Sequence, residues 1–174
     1  MMEEFILVKS TDDLYISEIY KILFRCGLNM MKKGMFHWLK PYSKESIRKD
    51  CANKTVVLVR DFSTREFTSS FQMFVNEEGN LYVRKIATSP KYEGKGIGRR
   101  NMQYMEDFAR KNGCPKICLD VYKKSPRAIG FYKKLGFEIK GETKARFFSE
   151  YIINGSLKFE ITAKRLYAAS QRVL

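Results

Sequence analysis

Histidine is almost absent from this 174-residue chain, with His37 alone, and the four cysteines, Cys26, Cys51, Cys114 and Cys118, form no Cys-x-x-Cys pair. Such a donor set argues against a zinc site, so no metal is expected. The cysteines sit in apolar stretches and read as small buried hydrophobes; Cys114 and Cys118 are parted by Pro115 at a turn into a strand. No apolar run approaches the ~20 residues that a membrane helix needs. The opening Met1-Met2-Glu3-Glu4 has no basic-then-apolar leader pattern, and the chain reads as cytoplasmic with no membrane partner. Acidic residues are the scarcer charge, 19 against 33 Lys and Arg, giving a formal net charge of +14. What is plentiful is core material: 44% hydrophobic and 14% aromatic residues. A chain of this length buries about 70% of its unfolded surface without disulfides or metals, so residues 1–174 are expected to form a single domain.

Periodicity orders the elements. A first strand is expected at 5–9, followed by a helix capped by Ser10-Thr11-Asp12-Asp13, carrying Leu14, Ile19, Ile22 and Leu23 on one face and stopped by Gly27. A second helix starts near Ser43 and runs towards Asp50. Strands are expected at 55–60, 67–75 and 81–88, the last two joined by the turn Asn76-Glu77-Glu78-Gly79-Asn80. Met102, Met105, Phe108 and Ala109 mark a helix ending at Asn112-Gly113. A strand at 116–122, a short helix around Tyr132, and a closing hairpin of 137–142 with 157–162 complete the pattern. The basic tail 163–174 reads as a short helix packed on the sheet or on a second subunit. Repeats and low-complexity linkers are absent.

Between the strand at 81–88 and the next helix lies Ser89-Pro90-Lys91-Tyr92-Glu93-Gly94-Lys95-Gly96-Ile97-Gly98-Arg99-Arg100. Three glycines at alternate positions let the backbone turn tightly and bring its N–H groups close to an anion at a helix N-terminus. That is the chemistry of a diphosphate cradle, although a plain strand-to-helix turn has the same composition. Nucleotide readings fail on spacing. A P-loop requires Ser or Thr after Gly-Lys, where Gly96 stands, and a dinucleotide fingerprint requires glycine where Arg99 stands.

The segment resembles the pyrophosphate loop of the GNAT N-acetyltransferase superfamily, Gln/Arg-x-x-Gly-x-Gly/Ala, with Glu93 in the Gln/Arg place and Gly96 and Gly98 in the glycine places. A second segment, Ser125 to Phe137, is similar to the other GNAT signature, Asn-x-x-Ala-x-x-Phe/Leu-Tyr-x-x-x-Gly-Phe, matching at Ala128, Phe131, Tyr132, Gly136 and Phe137. Ser125 replaces the usual Asn and can still cap the helix. By itself this segment is a capped amphipathic helix with Gly136 as its stop.

The resemblance implies a single mixed α/β domain: a central twisted mixed sheet of six to seven strands with helices on both faces. It implies acetyl-CoA as co-substrate and transfer of its acetyl group to an amine. The diphosphate falls to Glu93, Gly94, Lys95, Gly96, Ile97, Gly98 and Arg99. Glu93 is expected to offer its backbone N–H and not its carboxylate, with Lys95, Arg99 and Arg100 supplying positive charge. The pantetheine arm falls to Ile86, Ala87 and Thr88, with an oxyanion donor near Ala87 or Thr88, and Ser125, Ala128 and Tyr132 flank the cofactor. Tyr132 matches the tyrosine that family members use to protonate the leaving thiolate. Asp120, in Leu119-Asp120-Val121, stands where amino-terminal protein acetyltransferases of this superfamily have Glu as base; Glu142, Tyr82 and His37 are its rivals. The stretch 30–42, with His37, Trp38 and Tyr42, falls where GNAT proteins build the acceptor pocket.

Acceptors compatible with these residues are a small amine, favoured by the aromatic pocket, or a peptide N-terminus, favoured by the Leu-Asp-Val strand. A nucleic-acid-binding protein that keeps the fold without catalysis is the alternative that the net charge allows, though no recognisable basic-aromatic module supports it. GNAT domains often dimerise, so a homodimer is also an expectation.

Overall fold

The computed structural model describes residues 2–36, 38 and 42–152. β-Branched and aromatic runs punctuated by turn residues form the strands β1 (Glu3–Leu7), β2 (Thr55–Asp61), β3 (Phe67–Val75), β4 (Leu81–Thr88), β5 (Lys116–Tyr122), β6 (Glu138–Glu142) and β7 (Arg146–Ile152). The helices are α1 (Asp13–Met31), α2 (Lys44–Asn53), α3 (Ile97–Lys111) and α4 (Pro126–Leu135). They build one seven-stranded sheet in the order β1-β2-β3-β4-β5-β7-β6. Its pairs are antiparallel except β4 with β5, which α3 connects as a crossover.

Alternation along β2 explains the two layers. Val57 and Val59 face the cluster holding Met102, Met105 and Ala109 of α3. Val56 and Leu58 face the cluster holding Ile16, Ile19, Ile22 and Leu23 of α1. Phe71, Met73, Leu81 and Ile117 are fully buried between the sheet and α3. The expected architecture, a mixed sheet covered on both faces, is the observed one.

Three expectations need correction. Gly27 does not stop α1, which runs on to Met31. Gly27 is buried, and a Cβ there would lie 3.1 Å from the Trp38 carbonyl oxygen, so its missing side chain serves a close approach of the following loop. The chain leaves the helix through Gly34, at φ +73°. Leu14 is 68% exposed, and Ile16 occupies the core-facing place it was expected to take. The closing hairpin pairs β6 with β7, so its second strand is Arg146–Ile152; the expected strand 157–162 and tail 163–174 lie outside the described residues.

Candidate functional site

The site begins with a defect in the sheet. β4 and β5 pair at only three positions, Leu81 with Ile117, Tyr82 with Cys118 and Val83 with Leu119, and then part. On its other edge β4 carries a bulge, where Lys85 and Ile86 together oppose Phe71, between the pairs Gln72–Arg84 and Ser70–Ala87. Lys85 adopts φ +48°, a left-handed conformation that costs a non-glycine residue about 1 kcal/mol or more. The parting strands open a cleft at their carboxyl ends, the usual ligand position in sheets with a parallel crossover.

Tyr82 to Ile86 of β4, Leu119 to Tyr122 of β5, Ser125, Ala128 and Tyr132 line this cleft, with Met30, Trp38, Tyr42 and Arg146 at its sides. Thr88 ends β4 two residues beyond Ile86. The Ser89 N–H donates to the Thr68 carbonyl at 2.8 Å, so Ala87 and Ser89 turn their amides to β3. Thr88, between them, turns its N–H and C=O away from β3. Its carbonyl accepts the Cys26 thiol at 3.1 Å, and burial pushes that thiol up to about 12, leaving it protonated. The Ala87 side chain is buried against α1.

The glycine turn follows a single 3-10 turn at Pro90–Tyr92. Gly94 and Gly96 take φ +79° and +78°, and Gly96 caps α3. The Gly94, Gly96, Ile97 and Gly98 N–H groups donate to no backbone carbonyl among the described residues, whereas Arg99 and Arg100 both donate to the Gly96 carbonyl. Converging unpaired donors at a helix N-terminus make an anion seat. Gly98 has a second use: a Cβ there would come within 3.1 Å of the Phe131 ring, so its bareness lets α4 lie close to the start of α3.

Side chains around the turn depart from expectation. The Glu93 N–H, expected to face the ligand, donates to the Pro90 carbonyl at 3.3 Å. Its carboxylate is held by Asn29 at 3.0 Å and Arg127 at 2.5 Å, with Lys33 at 4.0 Å, tying α1 and α4 to the turn. Arg100 points back, bonding the Glu3 carboxylate at 2.5 Å and the Lys95 carbonyl at 3.0 Å, so its charge is spent on the fold. Lys95 lies over the Tyr92 ring at 4.9 Å, and Arg99 is exposed beside it. Ser125 starts α4 but its hydroxyl caps nothing. With ψ 74° it is not extended as Ser43 is at ψ 155°, whose hydroxyl accepts the Ser46 N–H.

Tyr132 stands half-buried, its ring edge-on to Phe131 and Phe137 at 5.2 and 5.5 Å. Burial alone pushes its phenol well above the usual tyrosine range, so it carries its proton at neutral pH. Across the cleft Asp120 lies 3.6 Å from Arg146 and next to Tyr82. Burial, then the hydrogen bond to Asp120, push the Tyr82 phenol up to about 12. Trp38 and Tyr42 meet edge-on at 6.1 Å; His37 lies outside the described residues.

One cluster carried no signal in the sequence. Asp50 of α2, 8% exposed, bonds Lys85 at 2.5 Å, Lys54 at 2.6 Å and Gln72 at 2.9 Å. The Lys85 ammonium also lies 4.0 Å from the Tyr42 ring centroid, so the bulge is pinned between a carboxylate and an aromatic face. Asp50 and Lys85 stand 35 residues apart along the chain, so no local pattern announces the pair.

Among the described residues no cluster of metal-binding side chains occurs, and no helix is long and apolar enough to cross a membrane. The chain is similar to streptothricin acetyltransferase of Streptomyces lavendulae, 38% identical over 61 residues, 35% of this chain and 32% of that protein. It thus spans about a third of that relative's length. To the peptidyl-lysine N-acetyltransferase YiaC of Escherichia coli it is 30% identical over 113 residues, 59% of this chain and 68% of that protein. The crystal structure of the PaiA N-acetyltransferase from Thermoplasma acidophilum in complex with coenzyme A shares the fold, with TM-score 0.69 at 18% identity over 87% of this chain and 99% of that one. The profile of the acetyltransferase (GNAT) family matches residues 30–137, which hold the glycine turn, the cleft strands and Tyr132, and the chain belongs to that family.

Proposed function

We propose that this chain is an acetyl-CoA-dependent N-acetyltransferase acting on a primary amine by direct attack within a ternary complex. The observation that carries the reading is the cleft where β4 leaves β5, with the unpaired amides of the glycine turn at its β4 end and the protonated Tyr132 phenol in its wall. The amides of Gly94, Gly96, Ile97 and Gly98 suit a diphosphate, with Lys95 and Arg99 as the nearby cations. The unpaired lip of β4 suits the amides of a pantetheine arm, which would pair with it as an added strand. The outward Thr88 amide is the oxyanion donor best supported by the register.

In the reaction the neutral amine nitrogen bonds to the thioester carbonyl carbon and the C–S bond breaks. The thiolate takes the Tyr132 proton, and the ammonium proton of the adduct leaves through water to Asp120. Asp120 is one methylene shorter than the glutamate that amino-terminal protein acetyltransferases of the superfamily carry at this place, which fits relay through water better than direct contact. The acceptor is a small amine in this reading, since the Trp38–Tyr42 wall closes the cleft side.

Two measurements test the reading. Acetyl-CoA at saturating concentration should raise the melting temperature, since a ligand held a hundredfold above its Kd adds about 2.7 kcal/mol. Tyr132→Phe should then lower turnover by roughly 10²–10⁴ with the acetyl-CoA shift retained. No thermal response at millimolar acetyl-CoA defeats the whole reading; full turnover in the variant removes Tyr132 from its role.

A further inference from the structure

The acceptor side of the cleft is more positive than an amine acceptor needs. Arg84, Lys85 and Arg146 all line it, against the one carboxylate Asp120. Lys85 is answered from behind by Asp50, which Lys54 shares. Arg146 is only loosely answered, 3.6 Å from Asp120. Arg84, exposed on β4, has no ion-pair or hydrogen-bond partner among the described residues. The two guanidiniums line one cleft with Tyr42; burial raises the Tyr42 pKa, and the charges of Arg84 and Arg146 offset part of that rise. Arg84 lines the same cleft as Tyr42, Tyr82 and Trp38.

A guanidinium beside a neutral phenol such as Tyr42, the Tyr82 O–H being taken by Asp120, is a receptor for a small anionic group, because its planar fork offers paired N–H bonds that no ammonium can use. The same wall repels a second ammonium. We propose that the acceptor is a primary amine bearing an anionic group, such as an amino acid, with Arg84 and Arg146 holding that group while the amine points to the thioester. This inference rests on the acetyl-transfer reading and adds the substrate class to it. It disfavours polyamines, whose extra charges would lie against Arg84 and Arg146.

Matched acceptors test it with the full chain: L-phenylalanine against phenethylamine and L-lysine against cadaverine for a carboxylate, O-phosphoethanolamine against ethanolamine for a phosphate. One charge-assisted bond corresponds to roughly a 10- to 100-fold preference in kcat/KM for the anionic member. The pair with the larger ratio identifies the anion. Arg84→Met should bring that ratio near one, chiefly through KM, and Arg146→Met should lower it less. The acetyl-CoA thermal shift of each variant reports that its fold and coenzyme site are intact. Equal or better use of the members that lack the anionic group or of spermidine, or a ratio that survives Arg84→Met, overturns the inference and leaves acetyl transfer standing. If acetyl-CoA gives no shift and no member is acetylated, the parent reading fails and this one falls with it.

Discussion

Removing the Asp50 carboxylate should cost more than any other single polar truncation near the cleft. Asp50→Ala strands the Lys85 ammonium, whose side chain is 9% exposed, and leaves Gln72 without its remaining partner, since Gln72 Oε1 is already unpaired. Breaking a buried ion pair on one side costs about 3–5 kcal/mol. Lys54, at 23% side-chain exposure, can return to water, which places the expected loss near the lower end, about 3 kcal/mol. For a domain of this size that is a fall in Tm of about 6–12 °C, readable by calorimetry. Removing both charges in Asp50→Ala/Lys85→Met should recover about 1–2 kcal/mol, the signature of a coupled pair. Acid gives an independent check. Burial by itself would raise the Asp50 pKa, but the hydrogen bonds from Lys54, Lys85 and Gln72 outweigh it and hold the carboxyl below the usual range. Its contribution is therefore complete above the unfolded value, about 4, and is lost as pH falls through the lower folded one. The gap between native chain and Asp50→Ala should narrow below pH ~4. A variant within 2 °C (roughly 1 kcal/mol) of the native Tm at neutral pH, or a double variant no more stable than the single, refutes this account.

Two further outcomes follow from the glycine turn. Gly98→Val forces a branched side chain toward a Phe131 ring that even a Cβ would meet at 3.1 Å; overpacking of this kind costs about 1–3 kcal/mol, and Phe131→Ala should restore part of it. A valine variant with native Tm would show that α3 and α4 do not depend on this contact. Glu93→Gln should change acetyl-CoA affinity by less than about fivefold, because the carboxylate is already neutralised by Arg127 and Lys33. Calorimetric titration showing tenfold tighter binding would mean that the carboxylate faces the diphosphate instead.

Local signals carried much of the fold. The bounds of β3, β4 and β5 are legible because their β-branched and aromatic runs end at residues such as Asn76 and Gly79, the latter at φ +77°. The two GNAT-like segments are legible because glycine spacing and the Ala128–Tyr132 face are short-range patterns. Gly27 misleads because close approach to Trp38 is a tertiary fact with no sequence mark. β7 is hard to see because Ser149 and Glu150 interrupt its aromatic run. The roles of Asp50, Lys85 and Arg84 were hidden for another reason: a bulge at Lys85 re-aims side chains that a regular strand would place differently.

Three residue pairs between β4 and β5 are all that join β1–β4 to the β5–β7–β6 ribbon across the sheet. In the acetyl-transfer reading, an extended pantetheine arm lodged between them would do a missing strand's work, lending backbone partners to both sides at once. Occupancy would thereby add cohesion across the sheet, where the empty chain relies on those three pairs and on the core shared beneath them with α3.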